Sequence, residues 1–385
     1  MNRALFIVVT IFPIVSLIIF FTVLQERNGD RANLKLKHID EEALKWLAVY
    51  MPPSFAVLVH SCRNPTVSSL VEQLLAYRSS KDELVVIVIQ HCWHKETMRR
   101  LKSFGNRIYL IQGPEIILPH EYVETAYNHF WAFNLTFHNL RFESAVVMND
   151  SLKISPDFQS YFEFTMELLR NDLSVWCVSG YNGNGEKYFV DSTKPYTLYR
   201  TEFFSGVAWM ILKEKWREFG TKEWPKVYFQ DWIRQQTVAR TLACIRPELS
   251  RVKFISDNNG LSASYKEMEA HQDIFLYNFI EDPPKPNLVE FEKQNYDREL
   301  IRKILESIDS LDYLTENQFT PVKMIYENEE DFTDIAKELG IKSNLEHGVP
   351  MNSYKGIVTT MFQSRRIYII PSYIGKIQTE LFGYK

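Results

Sequence analysis

Three residues stand where a side chain could take part in a reaction. Asp150 follows the apolar run Ala145 to Met148, a buried-strand pattern that ends in the polar turn Asn149-Asp150-Ser151. Asp231 lies in "YFQDWIR", enclosed by aromatic residues. Arg63 follows another strand pattern, "FAVLVH". A single carboxylate can take the proton of a hydroxyl that lies about 2.6–3.2 Å away. Each residue also has a plainer role. An Asp after a strand closes a turn or caps a helix, Asp231 can cap the helix it opens, and Arg63 is a phosphate or uracil contact or simply a solvated side chain. No G-x-G-x-x-G, P-loop, H-E-x-x-H or G-x-S-x-G is present, so the chemistry rests on isolated acids. "HCWH" at 91–94 imitates a metal cluster, but no second pair has zinc spacing.

The elements that would hold these residues alternate along the chain. "FAVLVH", "ELVVIVIQ", "NRIYLIQ" and "SAVVMND" read as strands. Between them lie the helical patterns "TVSSLVEQLLAYR" and "HKETMRRLKSF" and a long helical stretch over about 121–140. Continuous apolar strands separated by amphipathic helices predict a mostly parallel sheet covered on both faces. Ligands of such sheets bind beyond the carboxyl ends of the strands. That gathers 61–63, 90–92 and 149–151 around one pocket. After the Asn149 turn a helix is expected near Ser155, with Pro156 at its first position and Asp157 in its first turn. The second half is rich in aromatics and turns, and Pro283-Pro284-Lys285-Pro286 reads as a linker. Beyond it come a charged helix, "DRELIRKILESIDSL", and a hairpin within "YKGIVTTMFQSRRIYIIP".

The 385 residues suffice for two domains, or for one large α/β domain with an appendage. A net charge of -4 argues against a nucleic-acid binder. Ala4 to Leu24 carries no formal charge and is long enough to cross a bilayer core of about 30 Å. It reads as an uncleaved anchor, with a signal peptide as the alternative. Basic residues after it (Arg27, Arg31, Lys35, Lys37) would by themselves keep the large domain in the cytosol. Two features point to the lumen instead. Cys62, Cys92, Cys177 and Cys244 fit two disulfides in an oxidising compartment, with four buried thiols as the alternative. Asn134-Leu135-Thr136 and Asn149-Asp150-Ser151 are glycosylation sequons, whereas Asn64-Pro65-Thr66 is excluded by its proline.

The ordered run "WCVSGYNGNG … VDSTKPYTLYRTEFFSGVAWMIL … WPKVYFQDWIR … ACIRPELSR" resembles glycosyltransferase family 13, the N-acetylglucosaminyltransferase I family. The likeness reaches back through "VHSCRNPTVSSLVEQLL" and "IQHCWHKET", and forward to "GVPMNSYKGIVTTMFQSRRIYIIP". It implies a GT-A-type α/β fold at 53–282, a small C-terminal α+β domain at 283–385, a cytoplasmic tail at 1–3, a transmembrane helix at 4–24 and a stem at 25–52. It also implies a type II Golgi membrane protein with the disulfides Cys62–Cys92 and Cys177–Cys244. The family's chemistry is an inverting displacement. The mannose 2-hydroxyl of a high-mannose N-glycan on a glycoprotein attacks the anomeric carbon of UDP-N-acetylglucosamine, a carboxylate takes its proton, and UDP leaves.

Carried over residue by residue, the resemblance makes Asp231, in Gln230-Asp231-Trp232, the general base. The family's E-D-D turn, whose last acid holds Mn2+, appears here as Asn149-Asp150-Ser151. Asp150 keeps the position that faces the nucleotide sugar, and Ser151 replaces the metal ligand. His91 stands where the family has an acid against uracil. Asn128 stands where it has a histidine. Arg63 matches a family arginine, and Ser262 matches a serine on its phosphate-covering loop. The leading expectation is therefore β1,2 transfer of N-acetylglucosamine to the α1,3-arm mannose, with the manganese requirement in doubt. The alternatives are a weak or inactive paralogue that serves as a Golgi binding partner, and a transferase with a changed donor or acceptor.

Overall fold

The computed structural model describes residues 55–79, 84–114, 121–220, 223–255, 273–279, 285–309 and 320–374. The described residues belong to one compact unit. The anchor and stem expected over 4–52 lie outside the described residues, as does Ser262. Among the described residues no helix is long and apolar enough to cross a membrane.

The fold is mixed α/β, built on an eight-stranded sheet. Its first half is β1 (Phe55–Ser61), α1 (Val67–Tyr77), β2 (Leu84–Gln90), α2 (Lys95–Lys102), β3 (Tyr109–Gln112), α3 (Glu121–Asn134) and β4 (Ser144–Asn149). β1 and β2 are apolar at nearly every position because both faces are covered, and a strand buried on two sides has no polar alternation to show. β1 pairs in parallel with β2 and with β4 in one flush register. Ser61 lies opposite Gln90, and His60 opposite Asn149. β3 extends the row with Gln112 opposite Gln90. The carboxyl ends of four strands thus form a single edge, as the sequence pattern requires.

β5 (Leu152–Ile154) and α4 (Phe158–Asn171) follow the turn. The helix starts later than Ser155, and Asp157 makes no cap bond. Its carboxylate instead accepts from the buried Arg251 at 3.0 Å, from Ser155 at 2.6 Å and from Tyr196 at 3.2 Å. A buried guanidinium needs its counter-charge more than a helix end needs its cap. The remaining strands are β6 (Val175–Ser179), β7 (Leu198–Thr201), β8 (Trp209–Leu212) and β9 (Ala243–Pro247), with β10 (Val252–Phe254) pairing β5. The order β3-β2-β1-β4-β8-β6-β9-β7 inserts β8 antiparallel between β4 and β6.

α5 (Phe229–Ala239) carries Asp231 near its start. Its seat is aromatic. Buried Phe229 lies 5.4 Å from Trp224, which in turn packs on Trp216 and Trp232. Past α6 (Lys293–Leu305), strands β11 (Ile308–Asp309), β12 (Val322–Tyr326), β15 (Val358–Phe362) and β16 (Arg365–Pro371) form a second sheet. It is backed by α7 (Glu329–Leu339), which buries Phe332, Ala336 and Leu339. The expected hairpin is β15–β16, with Val358 opposite Ile369. A second, two-residue-strand hairpin pairs β13 (Leu345–Glu346) with β14 (Val349–Pro350). Bonds from Thr201 Oγ1 to the Ser353 carbonyl, at 3.0 Å, and between Arg366 and Glu248, at 2.8 Å, tie this region to the large sheet.

Candidate active site

At the strand ends the Cys62–Cys92 disulfide joins β1 to β2, and Cys177–Cys244 joins β6 to β9; among the described residues no cysteine is free. The Asn149 turn sits beside the first bridge. Asp150 is buried, and both of its carboxylate oxygens are already engaged. Oδ2 accepts from the Cys62 amide at 3.2 Å, while Oδ1 accepts from Asn64 at 2.9 Å and from Ser151 at 3.1 Å. Asn64 also donates to the Ser151 hydroxyl at 2.7 Å, and its own oxygen accepts from Thr66. Burial pushes the Asp150 carboxyl up, and these hydrogen bonds oppose the push without reversing it. Asn149 is exposed. Arg63 is exposed as well, in the left-handed region at φ 58°, and among the described residues its guanidinium has no hydrogen bond or ion pair.

Next to the turn runs a row of rings that no sequence motif announces. His91 stacks on His60 with ring centres 4.9 Å apart, and His91 Nε2 meets His60 Nδ1 at 2.7 Å. His60 stacks on His129 at 4.4 Å, and His129 lies 4.3 Å from Phe229. Because Phe229 opens α5, the row joins the strand ends to the helix that carries Asp231. His129 donates from Nδ1 to the Thr125 carbonyl at 2.8 Å. Burial drives all three imidazoles toward the neutral form: His60 falls well below the ordinary range, His91 to about 3 and His129 to about 4. Several buried polar atoms along this edge have no partner among the described residues, namely His60 Nε2, His91 Nδ1, Gln90 Oε1 and both side-chain ends of Gln112. Orphaned polar atoms in a native fold call for a ligand or water. Gly113 belongs to the same surface, since a Cβ there would fall 2.8 Å from His91 Nδ1.

Asp231 is different in kind. Its side chain is 37% exposed, and Arg234 Nη1 approaches Oδ1 at 2.8 Å. Arg234 also reaches Glu346 at 3.6 Å and donates from Nε to the Phe204 carbonyl at 3.1 Å. His347 Nε2 lies 3.9 Å from the same Oδ1. Among the described residues, Asp231 Oδ2 takes no hydrogen bond. A carboxylate with one oxygen fixed by a cation and the other open is equipped to take a proton.

The other residues singled out by sequence fall as follows. His91 stands at the strand-end edge, where it faces His60. Asn128 is buried on α3, and its neighbour His129 is the one that joins the ring row. Asn134 ends α3 and bonds the Phe130 carbonyl at 3.0 Å, with its sequon partner Thr136 fully buried and bonded to Ala132. His94 caps α2. Sequence reasoning passed over His60, Asn64, His129, Arg234 and His347. Only the position of His60 at the end of an apolar strand gave any signal.

The turn does not suit Mn2+. A hard divalent cation takes several oxygen ligands, anionic ones foremost. Here one carboxylate is present, closed in by neutral donors, and the hydroxyl of Ser151 already accepts from Asn64. Among the described residues no group of three His, Cys, Asp or Glu could hold a metal. The three imidazoles stack face to face and do not converge on a point.

Comparison with known proteins gives a family. The family model described as the GNT-I family matches residues 24–378. An Arabidopsis thaliana protein named alpha-1,3-mannosyl-glycoprotein 2-beta-N-acetylglucosaminyltransferase is 30% identical over 254 residues, 65% of this chain and 56% of that protein. The chain thus spans little more than half the length of that relative. Among solved structures, S. aureus TarS 1-349 in complex with UDP-GlcNAc is 12% identical with a TM-score of 0.35, covering 56% of this chain and 64% of its own. Glucosyl-3-phosphoglycerate synthase from Mycobacterium tuberculosis, in complex with Mg2+ and UDP, is 11% identical with a TM-score of 0.37, covering 65% and 96%. Likenesses at these TM-scores are too distant to argue from. The match of the family model does not depend on them, and because it spans the sheet, the strand-end turn and the Asp231 helix alike, this chain belongs to the GNT-I family.

Proposed function

We propose that the protein transfers N-acetylglucosamine from UDP-N-acetylglucosamine, in β1,2 linkage, to the α1,3-arm mannose of a high-mannose N-glycan. The open oxygen of Asp231 carries this reading. In the reaction Asp231 Oδ2 takes the proton of the mannose 2-hydroxyl while that oxygen bonds to the anomeric carbon. The bond from this carbon to the diphosphate breaks, its electron pair leaves with UDP, and the configuration inverts. The unpartnered atoms of His91, Gln90 and Gln112 suit the donor and acceptor edge of a uracil. Asn149 and Asp150 frame the sugar side of the same edge. Arg63 and Ser262 are assigned to the diphosphate, and no step is routed through a metal.

The Arabidopsis relative's name supports the acceptor. Family membership supports the GT-A description, the domains at 53–282 and 283–385, and a type II Golgi anchor at 4–24 that leaves the catalytic unit in the lumen. The test is transfer from UDP-N-acetylglucosamine to a five-mannose glycan by the purified chain, with linkage analysis of the product. A β1,2-linked product on the α1,3 arm is expected. No transfer from a folded, disulfide-intact protein overturns the proposal.

A further inference from the structure

Asp231 lies on α5, yet of the two groups that approach its carboxylate one, His347, comes from a remote hairpin. Arg234 is the crossing point: it binds Asp231 Oδ1 on its own helix and reaches Glu346 on β13. The turn that follows holds His347 at φ 53° and Gly348 at φ 76°, the two left-handed positions of a primed hairpin turn. Glycine adopts that conformation freely. A histidine there meets a steric cost that asparagine tolerates better. His347 is no packing residue either, because its side chain is 49% exposed. What its position does give is an imidazole nitrogen 3.9 Å from Asp231 Oδ1. Contacts of a catalytic group are often long before substrate arrives and tighten in the complex.

We infer that the 345–350 hairpin completes the catalytic centre, with His347 as a positioning residue for Asp231. Arg234 and His347 both address Oδ1, so the carboxylate is turned with Oδ2 toward the acceptor hydroxyl. The hairpin becomes the wall against which the acceptor sugar is held. This rests on the reading of Asp231 as the general base and adds to it the element that aims the base.

The test is steady-state transfer by wild type, His347→Ala, His347→Asn and Asp231→Asn, with donor and acceptor varied separately and the melting temperature recorded for each. His347→Ala is expected to lower kcat about tenfold or more, with the donor KM within about twofold of wild type. His347→Asn keeps an N–H donor and suits the left-handed turn, so it should restore most of the rate. A full kcat in His347→Ala overturns the inference. Equal impairment in the Ala and Asn variants, with a lowered melting temperature, also overturns it by assigning a purely structural turn. An Asp231→Asn variant with a wild-type rate overturns the reading of the base instead. A second measurement needs no turnover: Arg234→Met should raise amide exchange over 345–350. Unchanged exchange removes the clamp whatever the activity.

Discussion

The strand ends and the start of α5 answer opposite physical demands. At the strand ends Asp150 is buried, and neutral donors hold its carboxylate shut, while Asn149 and Arg63 beside it are exposed. Three imidazoles stack there in the neutral form. At the start of α5 the carboxylate of Asp231 is partly exposed, paired with a cation on one oxygen and open on the other. A surface of fixed, neutral hydrogen-bonding groups recognises shape, because it changes no charge when a ligand arrives. A base must instead be ionised, reachable and able to shed its proton afterwards. Burial raises the basicity of the Asp150 carboxyl, yet its oxygens are covered, so access decides the assignment.

The largest effect should come from exchanging the roles. Asp231→Asn removes the proton acceptor and is expected to cut transfer by about 10²–10⁴-fold, with donor affinity measured by calorimetry unchanged. Asp150→Asn should cost far less in rate. A larger loss from Asp150→Asn would invert the comparison.

Stability reads the same contrast. Asn64 satisfies Asp150, Ser151 and Thr66 together. Asn64→Ala should lower unfolding stability in urea by about 1–3 kcal/mol, because it strips a buried carboxylate of a donor. Arg234→Met, at a pair whose carboxylate is partly exposed, should cost under about 1 kcal/mol.

This contrast also marks what the sequence could show. The period of β1, β2 and β4 is read directly, because strands covered on both faces must be apolar throughout. Their shared register then dictates that residues 61–63, 90–92 and 149–151 meet. Asp231 is legible through its aromatic flanks. The ring row is not, since His60, His91 and His129 come from three elements and nothing in their spacing says that they will stack. The buried pair of Asp157 with Arg251 is hidden for a related reason, since the two are remote in sequence.

The imidazoles predict a pH effect on stability. The unfolded chain binds protons below the ordinary imidazole value of 6.5, while folded His91 and His129 resist protonation down to about 3 and about 4. In that window the unfolded state holds more protons, so stability rises with pH and is lost as pH falls from about 6.5 toward 4. The slope is at most about 1.4 kcal/mol per pH unit for each imidazole. His91→Gln should flatten the slope of urea midpoint against pH. An unchanged slope would mean that the stack is not what resists the proton.

The smallest expected effect is the response of wild type to manganese. The turn offers one carboxylate, both of whose oxygens already accept hydrogen bonds, beside a hydroxyl engaged with Asn64. A cation there would have to displace those donors and gain one anionic ligand in return. Transfer should therefore change by less than about twofold between chelator and millimolar Mn2+, since metal catalysis is set by the ligands that fix the ion. Ser151→Asp sharpens the point. It adds a second carboxylate beside Asp150, where repulsion between two like charges can be relieved by a cation. That variant should gain a manganese dependence that wild type lacks. If wild type already depends on the metal, the hydrogen bonds that close Asp150 must yield to the ion, and the strand ends are then a charged centre like Asp231 and not its neutral counterpart.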